Sequence, residues 1–134
     1  MRKKLDCILL IDDDKPTNYF HKIIINDSGL TERVIAIQSG QEALEYLGQK
    51  EEGQYPRPDL IFLDINMPAM DGWEFLEEYN KLDKNKKAKI LIIMLTTSIN
   101  PEDEKKAKEI NLINGFQRKP LSVEMLEKII DNNF

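Results

Sequence analysis

Short, unbroken runs of apolar residues recur along the chain, and longer polar stretches separate them. None of these runs alternates polar with apolar positions. Continuous short runs are typical of strands that are buried on both faces of a parallel sheet. Five strands are predicted on this basis, the last of them from the weakest run: residues 7–11, 34–37, 60–63, 90–95 and 113–117.

A segment with helical periodicity follows each predicted strand. A capping residue or a proline of the first turn marks where each segment begins. These residues are Pro16, Ser39, Asp71, Asn100 and Ser122. Strand and helix alternating five times predict a three-layer α/β sandwich around a parallel sheet, with right-handed crossovers. The polar residues 49–58 are interpreted as a long connection within one domain.

The composition is that of one globular domain over residues 1–134, with 41% hydrophobic and 32% charged residues. The longest apolar run, residues 90–95, is far shorter than the roughly 20 residues that a membrane-spanning helix needs. The run at residues 7–11 is also too short for a secretory signal. Since the single cysteine, Cys7, suits a reducing compartment, we expect a cytoplasmic protein.

Acidic residues outnumber basic residues in this chain. There are 24 Asp and Glu residues against 19 Lys and Arg residues, which gives a formal net charge of −5. A surface of this sign repels the phosphates of nucleic acids. Direct binding of DNA or RNA is therefore disfavoured.

Polar side chains stand at the ends of four predicted strands. Asp12 and Asp13 follow the first strand, Asp64 the third, Thr96 the fourth and Lys119 the fifth. In open α/β sheets, ligands bind at the carboxyl ends of the strands. These side chains are therefore expected to converge at one edge of the sheet.

Converging carboxylates repel one another and need a cation to hold them. Oxygen ligands without cysteine favour a hard divalent ion such as Mg²⁺ or Mn²⁺, and Mg²⁺ keeps several waters that a phosphoryl ligand can replace. A lysine and a hydroxyl aimed at the same point would serve the oxygens of that phosphoryl group. The residues thus indicate Mg²⁺-assisted phosphoryl transfer with an aspartate as the nucleophile.

Four segments that contain these residues match one family in order. They are residues 8–14 (ILLIDDD), 58–68 (PDLIFLDINMP) with Asp71 and Gly72, 94–98 (MLTTS) and 115–120 (GFQRKP). On these segments the chain resembles the receiver domain of the two-component response regulators over nearly its whole length. The resemblance implies a flavodoxin-like sheet with the strand order 2-1-3-4-5.

The resemblance also implies a phosphoacceptor and a metal site. Asp64 would take a phosphoryl group from a histidine of a sensor histidine kinase or a histidine phosphotransfer protein. Asp13 would bind Mg²⁺ directly and Asp12 mainly through water. Asn66 would offer its backbone carbonyl oxygen to the metal.

Other residues of these segments would stabilise the phosphoryl group or set its lifetime. Thr96 would donate a hydrogen bond to it and Lys119 would form an ion pair with it. The peptide bond between Lys119 and Pro120 would be cis, which a bond before proline adopts at small cost. Asn66 and Ser98 lie where the family tunes the lifetime of its phosphoaspartate.

Phe116 departs from the family pattern, because many receivers carry a switch tyrosine at this place. Its ring can still move between an outward and an inward position, but it lacks the hydroxyl group. Phosphorylation would draw Thr96 inward and let Phe116 leave the surface. The face of the fourth helix, fifth strand and fifth helix would then change for partner binding or relay. A static place in the core is the alternative for Phe116.

If this sequence is the natural full length, no DNA-binding or enzymatic output domain is expected, and the chain then resembles the single-domain receivers. Such a protein docks to a downstream protein target or relays phosphate, as a monomer or a phosphorylation-dependent dimer. It catalyses only its own phosphotransfer and dephosphorylation, and in this sense we expect no enzyme.

Three other functions are weighed against this one. An aspartate-nucleophile phosphatase would share Asp12 and Asp14, but its motif continues to a threonine where this chain has Pro16. A flavin or nucleotide carrier would need a loop rich in Gly, Ser and Thr after the first strand, where three aspartates stand. The third alternative is a receiver-like interaction module that phosphorylation does not regulate.

Several residues have a purely structural interpretation. Asp14 is predicted to cap the first helix, Asp59 to be structural, Cys7 to be an inert buried thiol and Trp73 to pack at the start of the third helix. His21 has no partner residues for a metal site in the sequence, so a surface position is expected for it.

Overall fold

The computed structural model describes residues 4–86, 91–97, 100–110 and 113–134. In these ranges five strands alternate with five α-helices, and a 3₁₀ turn, Lys84–Lys86, precedes the fourth strand. The elements are β1 (Leu5–Ile11), α1 (Lys15–Ser28), β2 (Thr31–Ile37), α2 (Gly40–Gly48), β3 (Leu60–Asp64), α3 (Gly72–Asn80), β4 (Leu91–Thr96), α4 (Pro101–Glu109), β5 (Gly115–Arg118) and α5 (Val123–Asn133). None of the helices in the described ranges combines the length and the apolar character that crossing a membrane requires.

The five strands form one parallel sheet in the order β2-β1-β3-β4-β5. The fold class and the strand order are therefore confirmed. Successive residues of a strand point to opposite faces of the sheet. Ile8 and Leu10 of β1 pack under α1 and α5, whereas Leu9 and Ile11 pack under α2 and α3. Each fully buried Leu or Ile side chain contributes about 1.5–3 kcal/mol to stability.

Several element boundaries differ from the predicted ones. Strand β1 begins at Leu5, because the Leu5 side chain is buried and its N–H donates to the carbonyl oxygen of Leu30 at 2.9 Å. The periodicity predicts a first helix over residues 16–25, but α1 continues to Ser28 and ends at Gly29, whose positive φ of 71° suits a residue without a side chain. The helical spacing of the apolar residues up to Leu82 predicts a longer third helix, but α3 ends at Asn80, and Leu82 packs against the core from beyond its end. Ile90 of the predicted fourth strand lies outside the described residues.

Three of the structural interpretations are confirmed. Cys7 is a buried free thiol, and burial raises its pKa. The carboxylate of Asp59 accepts a hydrogen bond from the N–H of Asp6 at 2.7 Å, which joins β1 to the start of β3. Trp73 is half-buried at the start of α3, and Nζ of Lys106 lies 4.7 Å from the centre of its ring.

The long connection between α2 and β3 lies at the amino ends of the strands. Glu51 and Gln54 form an isolated bridge around a turn in which Glu52 and Gly53 have positive φ. The ring of Tyr55 lies 5.4 Å from one lysine ammonium, that of Lys50, and 5.3 Å from a second, that of Lys86. The contact with Lys50 lies within the connection, and the contact with Lys86 holds the connection against the 3₁₀ turn.

Helix α1 buries two polar side chains and exposes three large hydrophobic ones. Its buried residues are Asn18, His21 and Ile25, whereas Tyr19, Phe20 and Ile23 are exposed. The surface position predicted for His21 is wrong, since its side chain is only 2% exposed. Nε2 of His21 accepts a hydrogen bond from the backbone N–H of Leu121 at 3.1 Å. This partner offsets the cost of burying the imidazole.

Acid should destabilise the folded chain through His21. Burial lowers the pKa of His21 below its ordinary value of 6.5, although the charge of Asp12 opposes this. The unfolded chain therefore binds the proton first, and stability that is fully present above pH 6.5 is lost as the pH falls below it. His21→Gln should show a flatter pH dependence of the free energy of unfolding between about pH 5 and about pH 8, measured with urea. If the free energy of unfolding depended on pH in the same way in both proteins, the prediction would be contradicted, because all other titrating groups are common to both.

Candidate functional site

The first part of the site is the turn from β1 into α1. The N–H of Asp12 donates to the carbonyl oxygen of Ile37 at 3.1 Å, and Oδ1 of Asp12 accepts from the N–H of Asp14 at 3.0 Å. Asp14 in turn caps α1 as predicted, since its carboxylate accepts from the N–H of Thr17 at 3.1 Å. The Asp12 side chain is buried and Asp13 is exposed. The turn therefore aims one carboxylate inward and leaves the next at the rim.

Asn18 supports this turn and was missed by the sequence reasoning. Its Nδ2 donates to the carbonyl oxygen of Asp12 at 2.7 Å and lies 3.5 Å from that of Ile37. The side chain thereby joins the ends of β1 and β2. The available signal was its spacing, because Asn18, His21 and Ile25 share one face of a helix.

Asp64 is the last residue of β3, and its side chain is buried. The loop after it returns close to the strand, where the N–H of Gly72 donates to the carbonyl oxygen of Ile65 at 2.7 Å. A Cβ atom at Gly72 would lie 2.6 Å from the carbonyl oxygen of Asp64. Only glycine fits this approach, so Gly72 fixes the backbone beside the carboxylate.

The ends of β4 and β5 supply a hydroxyl and an ammonium. Thr96 is the last residue of β4 and is buried. Its carbonyl oxygen accepts a hydrogen bond from the N–H of Lys119 at 2.6 Å. The peptide bond between Lys119 and Pro120 is cis, as the resemblance implies.

Four of the predicted side chains meet at this edge of the sheet. Carboxylate oxygens of Asp12, Asp13 and Asp64 all lie within 4.8 Å of one another. Nζ of Lys119 donates to Oδ2 of Asp12 and, at 2.9 Å, to Oδ1 of Asp64. The lysine thus bridges two strands through their terminal carboxylates.

Burial and charge shift the pKa values of this cluster. Burial raises the pKa of Asp64 to about 6; Lys119 opposes the shift, and the neighbouring Asp12 and Asp13 add to it. Burial by itself would lower the pKa of Lys119, but its hydrogen bonds to Asp12 and Asp64 raise it. At neutral pH the site therefore holds an ammonium ion among carboxylates.

The donor set fits a hard divalent cation. Three carboxylates from two strand ends converge on a region that one ion can reach, and they come without cysteine or histidine ligands in the described cluster. Oxygen-only ligands at this spacing suit Mg²⁺ or Mn²⁺. Asp13 is the exposed member of the cluster, whereas Asp12 and Asp64 are buried.

The remaining predicted residues lie around this cluster. Asn66 is exposed two residues after Asp64. Phe116 is half-buried on β5, beside Met94 of β4, and lines a surface cavity with Ala107 of α4. Ser98 lies outside the described residues. The roles predicted for these three residues stay predictions.

Comparison with known proteins agrees with this geometry. The model of the response regulator receiver domain family matches residues 8–131. The response regulator Rcp1 of Synechocystis is 32% identical over 126 residues, which cover 92% of this chain and 82% of Rcp1.

Solved structures with the same fold include a two-component response regulator from Cytophaga hutchinsonii. Its TM-score is 0.81 at 28% identity, and the match covers 97% of both chains. The Mn²⁺-bound form of Rcp1 gives a TM-score of 0.71 at 30% identity, covering 95% of this chain and 90% of that one. With its strand order, its carboxylate cluster and a family match over nearly its whole length, this chain belongs to the receiver domain family of the two-component response regulators.

Proposed function

We propose that this chain, as a single receiver domain over residues 1–134, accepts a phosphoryl group on Asp64 and switches a protein-binding surface in response. The donor would be a phosphohistidine of a sensor histidine kinase or of a histidine phosphotransfer protein. The observation that carries the proposal is the convergence of Asp12, Asp13 and Asp64 with the ammonium group of Lys119. The chain's own reactions would be limited to phosphorylation and dephosphorylation of Asp64.

The transfer step uses the buried carboxylate as the nucleophile. An oxygen of Asp64 forms the new O–P bond while the P–N bond of the phosphohistidine breaks, and the imidazole leaves with the electron pair. The ammonium group of Lys119 donates a hydrogen bond to Asp64 before transfer and would form an ion pair with the phosphoryl oxygens as negative charge develops on them. Thr96 would donate a further hydrogen bond to these oxygens. Bound Mg²⁺, held by Asp12, Asp13, Asp64 and the carbonyl oxygen of Asn66, would supply positive charge to the same oxygens.

Phosphorylation would alter the surface on the β5 side of the sheet. The phosphoryl group adds about −1.5 to −2 charge and three acceptor oxygens. Thr96 would turn toward it, and the half-buried ring of Phe116 would move into the space beside β4. Helix α4 buries only Ala107 fully among its residues, so it is thinly anchored and can shift with the ring. The face formed by α4, β5 and α5 would then bind the downstream protein.

The exposed side of α1 would receive the phosphodonor protein. Tyr19, Phe20 and Ile23 are exposed there. Phe20 also lines an open cavity of about 400 Å³ whose wall includes Lys119. Clustered exposed apolar side chains mark protein contact surfaces. A partner seated on them would place its histidine near Asp64.

The proposal is tested with a small phosphodonor. The protein is incubated with acetyl phosphate and Mg²⁺, and its intact mass is recorded with and without EDTA. We expect a gain of one phosphoryl group that disappears when EDTA removes the metal. A folded protein that gains no phosphoryl group from acetyl phosphate or from a panel of purified kinases would point to the unregulated interaction module instead.

Mg²⁺ should stabilise the folded chain through the carboxylate cluster. Binding to the folded state alone adds about 2.7 kcal/mol when the free ion is at 100 times its Kd. We expect a concentration-dependent rise in Tm that Asp13→Asn largely removes. Asp14→Asn is the matched control, because it makes the same charge change one residue away, at a side chain that caps α1. An equal loss of the Tm rise in both variants would assign the effect to general charge and not to the cluster.

A further inference from the structure

We propose that His21 is a positioning residue for Lys119: its imidazole anchors the segment that presents the lysine ammonium to Asp64. The inference deepens the proposed function and rests on it. Neither the sequence motifs nor the carboxylate cluster includes His21. Its place in the structure, on the inner face of α1, supplies the argument.

The segment from Lys119 to Leu121 is held at both ends. At one end the N–H of Lys119 donates to the carbonyl oxygen of Thr96 at 2.6 Å. At the other end the N–H of Leu121 donates to Nε2 of His21 at 3.1 Å. Pro120, between them, has no N–H to donate. The bond to His21 is therefore the first backbone N–H anchor that follows the lysine.

This anchor is buried on both sides. His21 is 2% exposed and Leu121 is 1% exposed, so the bond is shielded from water in the folded chain. Nε2 must be unprotonated to accept from an N–H, and the imidazole must therefore be neutral with its proton on Nδ1. Among the groups that act on His21, burial and the charge of Lys119 favour the neutral form, whereas the charge of Asp12 opposes it.

The outer side of the segment leaves room for movement. An open cavity of about 400 Å³ is lined by Pro16, Thr17, Phe20, His21, Thr97, Lys119 and Pro120. Without the bond to His21, Leu121 and Pro120 can relax toward this space. Displacement of the backbone by even about 1 Å at a reacting group costs as much as 100-fold in rate. Loss of the anchor should therefore appear in the chemical step.

Two substitutions separate the hydrogen bond from simple packing. His21→Leu keeps a buried side chain of similar size but removes the acceptor, whereas His21→Gln retains an acceptor oxygen. Labelling rates are measured against acetyl phosphate concentration at saturating Mg²⁺. We expect His21→Leu to lower the maximal rate about tenfold or more, with the half-saturating donor concentration changed less than about twofold. His21→Gln should restore most of the rate.

A structural role alone would give a different result. If His21→Leu labels at the wild-type rate, or if His21→Gln is as slow as His21→Leu, the positioning role is overturned. A long-range ¹H–¹⁵N spectrum of the unsubstituted protein tests the bond without any variant, and a proton found on Nε2 would also overturn it. If the unsubstituted protein gains no phosphoryl group from acetyl phosphate or from the panel of purified kinases, the proposed function is overturned. If the unsubstituted protein, His21→Leu and His21→Gln are all labelled at the same rate, the positioning role of His21 is overturned and the proposed function stands.

Discussion

Asp64→Asn is expected to abolish the phosphoryl mass gain completely. The carboxylate of Asp64 is the nucleophile in the proposed reaction, and an amide in its place has no anionic oxygen to form the acyl phosphate. The fold should survive, because the asparagine is almost the same size and removes a charge from a site where burial raises the pKa of the carboxyl to about 6. The measurement is intact mass after incubation with acetyl phosphate and Mg²⁺.

Asp14→Asn is the control for this experiment. It removes one negative charge from the same edge of the sheet, and asparagine caps a helix as well as aspartate does. We expect this variant to gain one phosphoryl group as the unsubstituted chain does. Undiminished labelling of Asp64→Asn would show that another residue accepts the phosphoryl group, and peptide mapping would then have to locate it.

Lys119→Ala should leave a folded protein whose labelling is about 100-fold slower. Its ammonium group bonds Asp64 at 2.9 Å and lies where charge develops on the transferred phosphoryl group. Removing one preorganised donor of this kind typically costs ~100-fold or more in rate. Lys119 belongs to neither of the hydrophobic clusters that pack on the two faces of the sheet, so the far-UV circular dichroism spectrum should be unchanged.

Lys128→Ala is the matched control for the lysine. Lys128 is exposed on α5, and its substitution removes the same positive charge without touching the carboxylates. Labelling of this variant should match that of the unsubstituted chain. Equal slowing of the two variants would attribute the effect to net charge, and a normal rate for Lys119→Ala would remove the lysine from the proposed mechanism.

The sheet could be predicted from the sequence because its inner strands are buried on both faces. Residues 7–11 of β1 and all five residues of β3 are buried, so each apolar run is continuous and ends close to the carboxyl end of its strand. The carboxyl ends of such strands meet at one edge, which is why Asp12, Asp64 and Lys119 could be grouped before their contacts were known. The strand order came from the family resemblance and not from periodicity.

Helix α1 shows what periodicity could not give. Phe20 and Ile23 look like core residues by type, yet they face outward, while Asn18 and His21 face inward. The inner positions are set by what they meet, namely the carbonyl oxygen of Asp12 and the N–H of Leu121. The spacing of Asn18, His21 and Ile25 places them on one helix face, but it does not identify these partners, because both partners are backbone groups. Tertiary hydrogen bonds therefore decided this face against the hydrophobic preference of its residues.

The turn at Gly53 is separated from the chemistry by the length of a strand. It belongs to the connection that enters β3 at Leu60, and Asp64 stands at the other end of that strand. Leu60 and Asp64 are four residues apart along the strand, and a rise of about 3.3 Å per residue puts roughly 13 Å between them. A peptide tag or fluorescent reporter inserted at Gly53 would therefore lie at the amino ends of the strands, opposite the carboxylate cluster. Partners could then be captured or tracked without an added group near the site.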